Sequence, residues 1–417
     1  MQASLNIDGI AFCTLEIEGA NMPPSPNLIE NIMIMEGFGM GLPTMKLSLL
    51  DENETLSRDL NLKNGTGIRI RLGKSAAAAP EYSFSVFGWK RPNNAVTKIL
   101  DIICIYNCPK FGAGVFCEAF EGHSANAMQQ VAELSGLRFE GPQSPPVDTQ
   151  WWMNLNTTRL SFTEDMAMRA FVNPQSCMAR VVRADGTLVY KDLMQVLQEP
   201  AKFKICQNTN GTGGGTSVSA RAVKDGSSSG LFTHFVNYGH KLFMHTFDGE
   251  DSAIETLDIN ASGAGVPINS QVLSDLKERG ARVTHVGYDY GTGPDEGSNY
   301  HENYEQAYYQ NVRLLALFSE RVTAITDTVT ELKTFTSVDF EQGSNAKGQS
   351  AANDVAGRYL IGGKTIVIKK GTKYSEVIYM YRPFITEAGN PNGVNSSPKK
   401  VNASASGVDQ SSRDFSR

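Results

Sequence analysis

The stretch that most restricts how this 417-residue chain can fold lies near its end. Ala356-Gly357-Arg358-Tyr359-Leu360-Ile361-Gly362-Gly363-Lys364-Thr365-Ile366-Val367-Ile368 runs into the basic turn Lys369-Lys370-Gly371-Thr372-Lys373. Tyr374 and Val377-Ile378-Tyr379-Met380-Tyr381-Arg382-Pro383 follow. Apolar and aromatic β-formers fill both runs and Gly marks the bends, so the pattern predicts a hairpin of two strands.

The first 110 or so residues carry the same signature. Cys13, Leu15 and Ile17 alternate with Thr14, Glu16 and Glu18; Met45, Leu47 and Leu49 with Lys46 and Ser48; Ile68, Ile70 and Leu72 with Arg69 and Arg71; and Tyr82, Phe84 and Val86 repeat the spacing. A period of two gives each strand one buried and one solvated face, as in an antiparallel barrel or sandwich. Gly, Pro and Asn clusters at 21–27, 64–67 and 91–94 separate the runs.

Beyond residue 118 the texture changes. Ser124–Leu134 reads as a helix with Ala127, Met128, Val131 and Leu134 on one face, an N-cap at Ser124 and a stop at Gly136. Ser161-Phe162-Thr163-Glu164 has the spacing of a capping box before a second helix. Asp185-Gly186 marks a hairpin between Val181-Val182 and Leu188-Val189-Tyr190. The Gly/Ser/Thr-rich segment 208–229 reads as a loop or linker. Strands are expected at 231–247, 282–288, 322–330 and 332–340, with a short helix at 271–279 and an exposed loop at 291–298. The longest helix is expected over 301–320, where Tyr304, Tyr308, Val312, Leu315 and Phe318 follow a helical period. After Pro383 the chain is Asn/Ser/Gly-rich to Arg417, the composition of a mobile tail.

Charge and cysteines narrow the function. A net charge of −6 lacks the basic excess of a tight nucleic-acid binder. It is compatible with nucleic acid passing a weakly acidic pore. Cys13, Cys104, Cys108, Cys117, Cys177 and Cys206 form no Cys-x-x-Cys pair, so free, mostly buried thiols are expected. No apolar run approaches the roughly 20 residues of a membrane-spanning helix, and the N-terminus does not read as a signal peptide.

Candidate chemistry is weak throughout. The Gly-rich run 210–216 lacks the Gly-Lys-Ser/Thr of a phosphate loop. On an extended strand His234 and His240 share a face about 20 Å apart and His245 points away, so one strand cannot gather them on a metal. Asp248-Gly249-Glu250-Asp251 lacks calcium-loop spacing and reads as an acidic turn. His123 reads as a turn histidine, and no Gly-x-Ser-x-Gly elbow is present. Trp151 and Trp152 point opposite ways in an extended segment, which offers one to the core and the other to a partner. No catalytic, cofactor-binding or metal-ligating residue is assigned, and the chain is expected not to be an enzyme.

The order of these features resembles the baseplate hub proteins of contractile-tailed bacteriophages, which are related to type VI secretion spike hub domains. The likeness rests on Ser124-Ala125 to Leu137-Arg138-Phe139, on Trp152, Leu160 and Phe162–Ala170, on the hairpin at Asp185-Gly186 and Tyr190, and on the closing hairpin Gly357–Arg382. Two departures stand out. Hub relatives often carry a His in the first closing strand where this chain has Lys364-Thr365, and segment 247–320 has no evident counterpart. The resemblance implies an α+β, mainly β fold with two tube-like antiparallel β-barrel domains and α+β insertions. It places a first barrel at 1–115, a small α+β insert at 116–205, a second barrel with helical insertions at 206–385 and a polar tail at 386–417. It further implies a homotrimeric ring in the virion tail baseplate, assembled in the bacterial host cytoplasm. That ring would adapt a hexameric tail tube protein to a trimeric spike protein. Its channel would pass the tape-measure protein and then DNA, without stable membrane insertion or a cofactor. The alternatives are a tail tube-initiator or distal tail protein, and a tail-associated cell-wall hydrolase.

Overall fold

Among the described residues, backbone pairing joins strands from the first residues to the closing hairpin in one sheet. The computed structural model describes residues 2–4, 12–20, 24–77, 79–91, 98–207, 216–227, 239–248, 251–260, 281–289, 301–303, 306–307, 309–318, 320–341, 356–370 and 374–383. Within them a 14-stranded sheet takes the order Gln2–Ser4, Phe12–Ile17, Gly67–Gly73, Glu81–Lys90, Ile99–Tyr106, Thr44–Leu50, Ile29–Gly37, Gly357–Lys369, Ser337–Glu341, Phe203–Gln207, Ser217–Ala220, with Ala222–Ser227, Glu320–Thr326 and Tyr374–Arg382 branching from that path. The protein is mainly β, and Met1–Phe384 makes one compact unit.

The four alternating runs near Cys13, Met45, Ile68 and Tyr82 each form a strand, and their apolar members fill one aliphatic core. That core also takes Ile366, Ile368 and Tyr374 from the closing hairpin. The hairpin therefore belongs to the first β region as much as to the second. Three strands of this region went unread in the sequence, Gln2–Ser4, Ile29–Gly37 and Ile99–Tyr106.

The second β region is a run of paired strands whose two ends are joined only by the chain at Arg221. Phe203–Gln207 pairs in parallel with both Ser337–Glu341 and Ser217–Ala220. Ser217–Ala220 continues through Arg221, whose amide donates to the Ile325 carbonyl, into Ala222–Ser227 on Glu320–Thr326. From there pairing passes to Tyr374–Arg382, to Gly357–Lys369 and back to Ser337–Glu341. Ile205, Ala220, Val322, Ala324, Val338, Phe340, Tyr359, Ile378 and Met380 pack inside. Two strands thus lie in the Ser/Gly-rich segment expected to be a loop; Ala220 is buried and Val218 and Val223 pack against the same core.

Between the two regions sits a helix-and-ladder layer. Helices Ser124–Ser135 and Arg159–Arg169 pack on the two-stranded ladder Val115–Gly122/Gln150–Thr158 and beside the strands Arg138–Glu140, Met178–Val182 and Thr187–Asp192. The predicted stop at Gly136 holds, with a left-handed φ of 76° that glycine adopts without strain. The N-caps shift. His123, not Ser124, caps the first helix, its Nδ1 accepting from the Asn126 amide. Thr158 caps the second, which begins before the expected box. Glu164 makes an ion pair with Arg180 instead of closing that box.

The helix expected over 301–320 is borne out in part: its described helical residues are 306–307 and Gln310–Leu317, and it ends there because Glu320 is already in a strand opposite Arg382. The strands expected at 322–330 and 332–340 are Glu320–Thr326 and Ser337–Glu341. Between them, Thr326 and Thr330 side chains bond to nearby backbone amides and hold a loop. A further sheet joins Gly239–Asp248 to Asp251–Asn260 as a hairpin and to Ala281–Asp289 in parallel. Asp248 pairs with Asp251, and Gly249 and Glu250 of the expected acidic turn lie outside the described residues. The helix expected at 271–279, the loop at 291–298 and the tail lie outside the described residues.

Candidate assembly interface

The closing strand Gly357–Lys369 changes partner halfway. Its first residues pair with Ser337–Glu341 and, from Gly363 onward, the same edge pairs with Ile29–Gly37. The change falls at Gly362, where the register against Tyr374–Arg382 slips. Here the backbones press together. A Cβ on Gly363 would sit 3.0 Å from the Glu36 carbonyl, and one on Gly37 would sit 3.1 Å from the Gly362 carbonyl. Glycine is required at this crossing because a side chain has nowhere to go.

Buried charges brace the crossing. Glu376 is fully buried and accepts from the Thr330 amide (3.1 Å), the Thr330 hydroxyl and the Tyr374 hydroxyl, while Lys364 Nζ lies 3.1 Å away. Lys364, standing where hub relatives often have His, is therefore a buried ion-pair partner. Nearby, Glu36 accepts from the Ala184 amide and the Thr334 hydroxyl, and Arg183 donates to the Thr334 carbonyl and pairs with Glu140. Burial opposes ionisation of Glu140, but Arg183 and Lys191 outweigh it and bring its pKa down to about 2. These groups line a cavity of about 810 Å³ where the two β regions meet the insert.

A second tie was invisible in the sequence. The last carbonyls of helix Arg159–Arg169 have no partners within the helix. Gln310 Nε2 donates to those of Ala167, Met168 and Ala170, and its Oε1 accepts from the Met178 amide. His301 Nε2 bonds the Arg169 carbonyl at 2.7 Å while its Nδ1 accepts from the Asn303 amide. Burial lowers the His301 pKa to about 4, which keeps the ring neutral. Arg313 donates to the Ser176 carbonyl. Segment 301–317 is thus a strap that completes a helix end about 140 positions earlier in the chain.

The outward faces differ sharply from place to place. On the first sheet they are polar: Thr14 and Glu16 stand beside Arg69 and Arg71, and those beside Ser83 and Glu81. On the ladder the inward residues Phe120 and Trp152 are core, but Val115, Cys117, Ala119, Met153 and Leu155 face away from it. Leu155 is 70% and Val115 56% exposed. A second apolar patch breaks the polar surface of the first sheet, where Phe87 is 72% and Ile103 39% exposed.

The structure places the sequence candidates as follows. Trp152 is buried with its Nε1 donating to the Gly122 carbonyl, and Trp151 lies half-exposed on the outward face, as adjacent residues in a strand require. Five cysteines are buried and Cys117 is exposed; all six are free. Residues 210–216 and His234 lie outside the described residues, and His240 and His245 are described only by their strand positions. Among the described residues no group of three or more His, Cys, Asp or Glu side chains is placed to hold a metal ion, and no helix is long and apolar enough to cross a membrane.

No protein-family profile matches the chain, and no curated protein matches its sequence. Solved structures do match. A tail protein from Neisseria meningitidis MC58 superposes with a TM-score of 0.50 at 9% identity, covering 89% of this chain and 96% of that one. The 43 kDa tail protein of prophage MuSo2 from Shewanella oneidensis gives 0.51 at 10% identity, with the same coverage of 89% and 96%. An E. coli type VI secretion component, described as similar to T4 tail proteins gp27 and gp5, gives 0.45 at 8% identity over 89% of this chain and 77% of that one. Over 89% of its length this chain has the fold of these two phage tail proteins, as its resemblance to the baseplate hub proteins implies.

Proposed function

We propose that the chain is an architectural baseplate hub of a phage tail. Three copies form a ring, each copy contributes two tube-like barrels, and the six barrels adapt a hexameric tail tube to a trimeric spike. The observation that carries this reading is the near-full-length fold match to two phage tail proteins. Two features support the barrel assignment. Pairing in the second region, its two ends joined by the chain at Arg221, returns to its starting strand. In the first region Cys13 and Leu15, near one end of the strand order, share a core with Tyr374 of the closing hairpin.

In this reading the domain limits follow the four-part division at 115, 205 and 385. The ring stands in the virion tail, encloses an axial channel for tape-measure protein and DNA, and catalyses nothing. The buried ions support an architectural role, because Glu376, Arg183 and Glu140 are all engaged in joining chain segments. Imaging the purified full-length chain by negative stain tests the proposal. A three-fold ring with a central hole is the expected result. A six-fold ring would instead indicate a distal tail or tube-initiator protein, and a lone monomer at every concentration would overturn the ring.

A further inference from the structure

Leu134 and Val147 stand exposed on their own, but elsewhere exposed apolar side chains group in two places on the described sheets, and those two places complement each other. The first is the outward face of the ladder. Cross-strand neighbours there are Cys117 with Leu155, Ala119 with Met153 and Glu121 with Trp151, and Val115 extends the face at its end. A sheet face turned to water normally alternates to polar residues, as the first sheet does at Glu16, Arg69 and Ser83. Here Glu121 is the one charged side chain among seven outward positions.

The second place is on strands Glu81–Lys90 and Ile99–Tyr106. Tyr82, Phe84 and Val86 point inward, so the same alternation turns Phe87 outward, and past a register slip Gly88 stands opposite Ile103. A Cβ at Gly88 would meet nothing within 4 Å, so no neighbour covers Ile103 from that side. The charges around it are Lys90, opposite Asp101, and Lys46, 2.9 Å from the same Asp101. The margin of this patch is therefore net basic, and that of the ladder is acidic.

We propose that these patches are the two halves of one contact between copies of this chain, the ladder of one subunit seated on the Phe87–Ile103 patch of the next. Two different surfaces on one chain make a head-to-tail contact, which generates a ring when the rotation closes. A two-fold contact of ladder on ladder would instead bring Glu121 toward its own counterpart. The contact rests on the ring reading above, and it names the surface that reading leaves open. The patches form the apolar centre of the interface and their Glu and Lys margins set its direction.

The test uses the full-length chain and its native exposed thiol. Wild type, Val115→Asp/Leu155→Asp and Phe87→Asp are compared by light scattering. Phe87→Cys is treated with a short bis-maleimide beside wild type and Phe87→Cys/Cys117→Ser. The expected result is a three-chain mass for wild type and a one-chain mass for both aspartate variants. Subunits should be linked only in Phe87→Cys. If both aspartate variants keep the wild-type mass and Phe87→Cys does not link, this contact is wrong and the ring stands. Linkage already in wild type, repeated in Phe87→Cys and lost with Cys117→Ser, would mean Cys117 meets Cys117, which overturns the head-to-tail arrangement. A wild type that is monomeric at every concentration removes the ring reading and this contact together. The linking arm decides the question even if an aspartate variant fails to fold.

Discussion

The two β regions share a hairpin but are held in different ways. The first is lined almost wholly by aliphatic side chains from adjacent strands, with Leu15, Ile34, Leu47, Ile70 and Ile102 all buried. The second encloses Tyr359 and Phe340, and its margins depend on buried ions and on groups brought from far along the chain: Glu376 with Lys364, Glu320 with Arg382, Arg183 with Thr334. An aliphatic core is graded, because each methyl lost costs a little. A buried ion is nearer all-or-none, because removing one partner strands the other charge away from water. The first region should therefore tolerate conservative change, and the second should fail at a few positions.

Glu376→Ala is the strongest test of that difference. It leaves Lys364 buried without its carboxylate and removes the acceptor for two hydroxyls, so a loss of about 3–5 kcal/mol is expected in denaturant unfolding. A loss under about 1 kcal/mol would show that the two regions are held alike. Acid probes the strap. The His301 pKa is about 4 in the folded protein against an ordinary 6.5, so the unfolded chain takes up the proton first. Stability should fall as pH drops from about 6.5 to 4, by about 3 kcal/mol from this residue alone. Burial raises the pKa of Asp148 and of Asp192, which acts in the opposite sense. Comparing wild type with His301→Gln across that window isolates the histidine, and parallel pH profiles would remove it as the cause.

Gln310→Ala should cost about 2–3 kcal/mol, since three helix-terminal carbonyls and the Met178 amide lose their partner together. Hydrogen exchange should report this first at the end of helix Arg159–Arg169. In the first region, Ile70→Val should cost about 1 kcal/mol. A larger loss there than for Gln310→Ala would reverse the comparison. Smallest of all, Leu155→Asp on the exposed ladder should leave the melting of the dissociated chain within about 0.5 kcal/mol of wild type.

The same contrast explains what could be read from the sequence. The first region announces itself because each strand is solvated on one face, so Cys13-Thr14-Leu15-Glu16-Ile17 spells out its own burial. Strand Ile29–Gly37 hides because Met33 and Met35 occupy its outward positions and blur the alternation. Strand Ser217–Ala220 hides among Ser and Gly, where only Val218 and Ala220 mark the inner face. The strap leaves no trace: a Gln in a helix looks like surface until the carbonyls it serves are known. Helix Gln310–Leu317 was read too long because its apolar period continues to Phe318, where stacking on Phe38 at 4.7 Å, not helix continuation, claims the ring. That Trp151 and Trp152 face opposite ways was legible, since neighbours in a strand must; which of them is outward was not. The outward phase of Phe87 follows from Tyr82, Phe84 and Val86, but its nearness to Ile103 was not legible, because that pairing depends on the register between two strands.

The partner change at Gly362 also governs the order in which the molecule can be completed. Strand Ile29–Gly37 is among the first parts of the chain to be made, yet one of its edges is filled only by residues near the other end; Lys370 reaches Glu30 across 340 positions. At about 5–20 residues per second, that edge stands open for tens of seconds during synthesis. Until the last hairpin emerges, the nascent first region presents a row of unsatisfied amides and carbonyls that any other strand can take. Truncation just before Gly357 should therefore do more than delete a hairpin: it should leave a chain that aggregates through its own earliest strands.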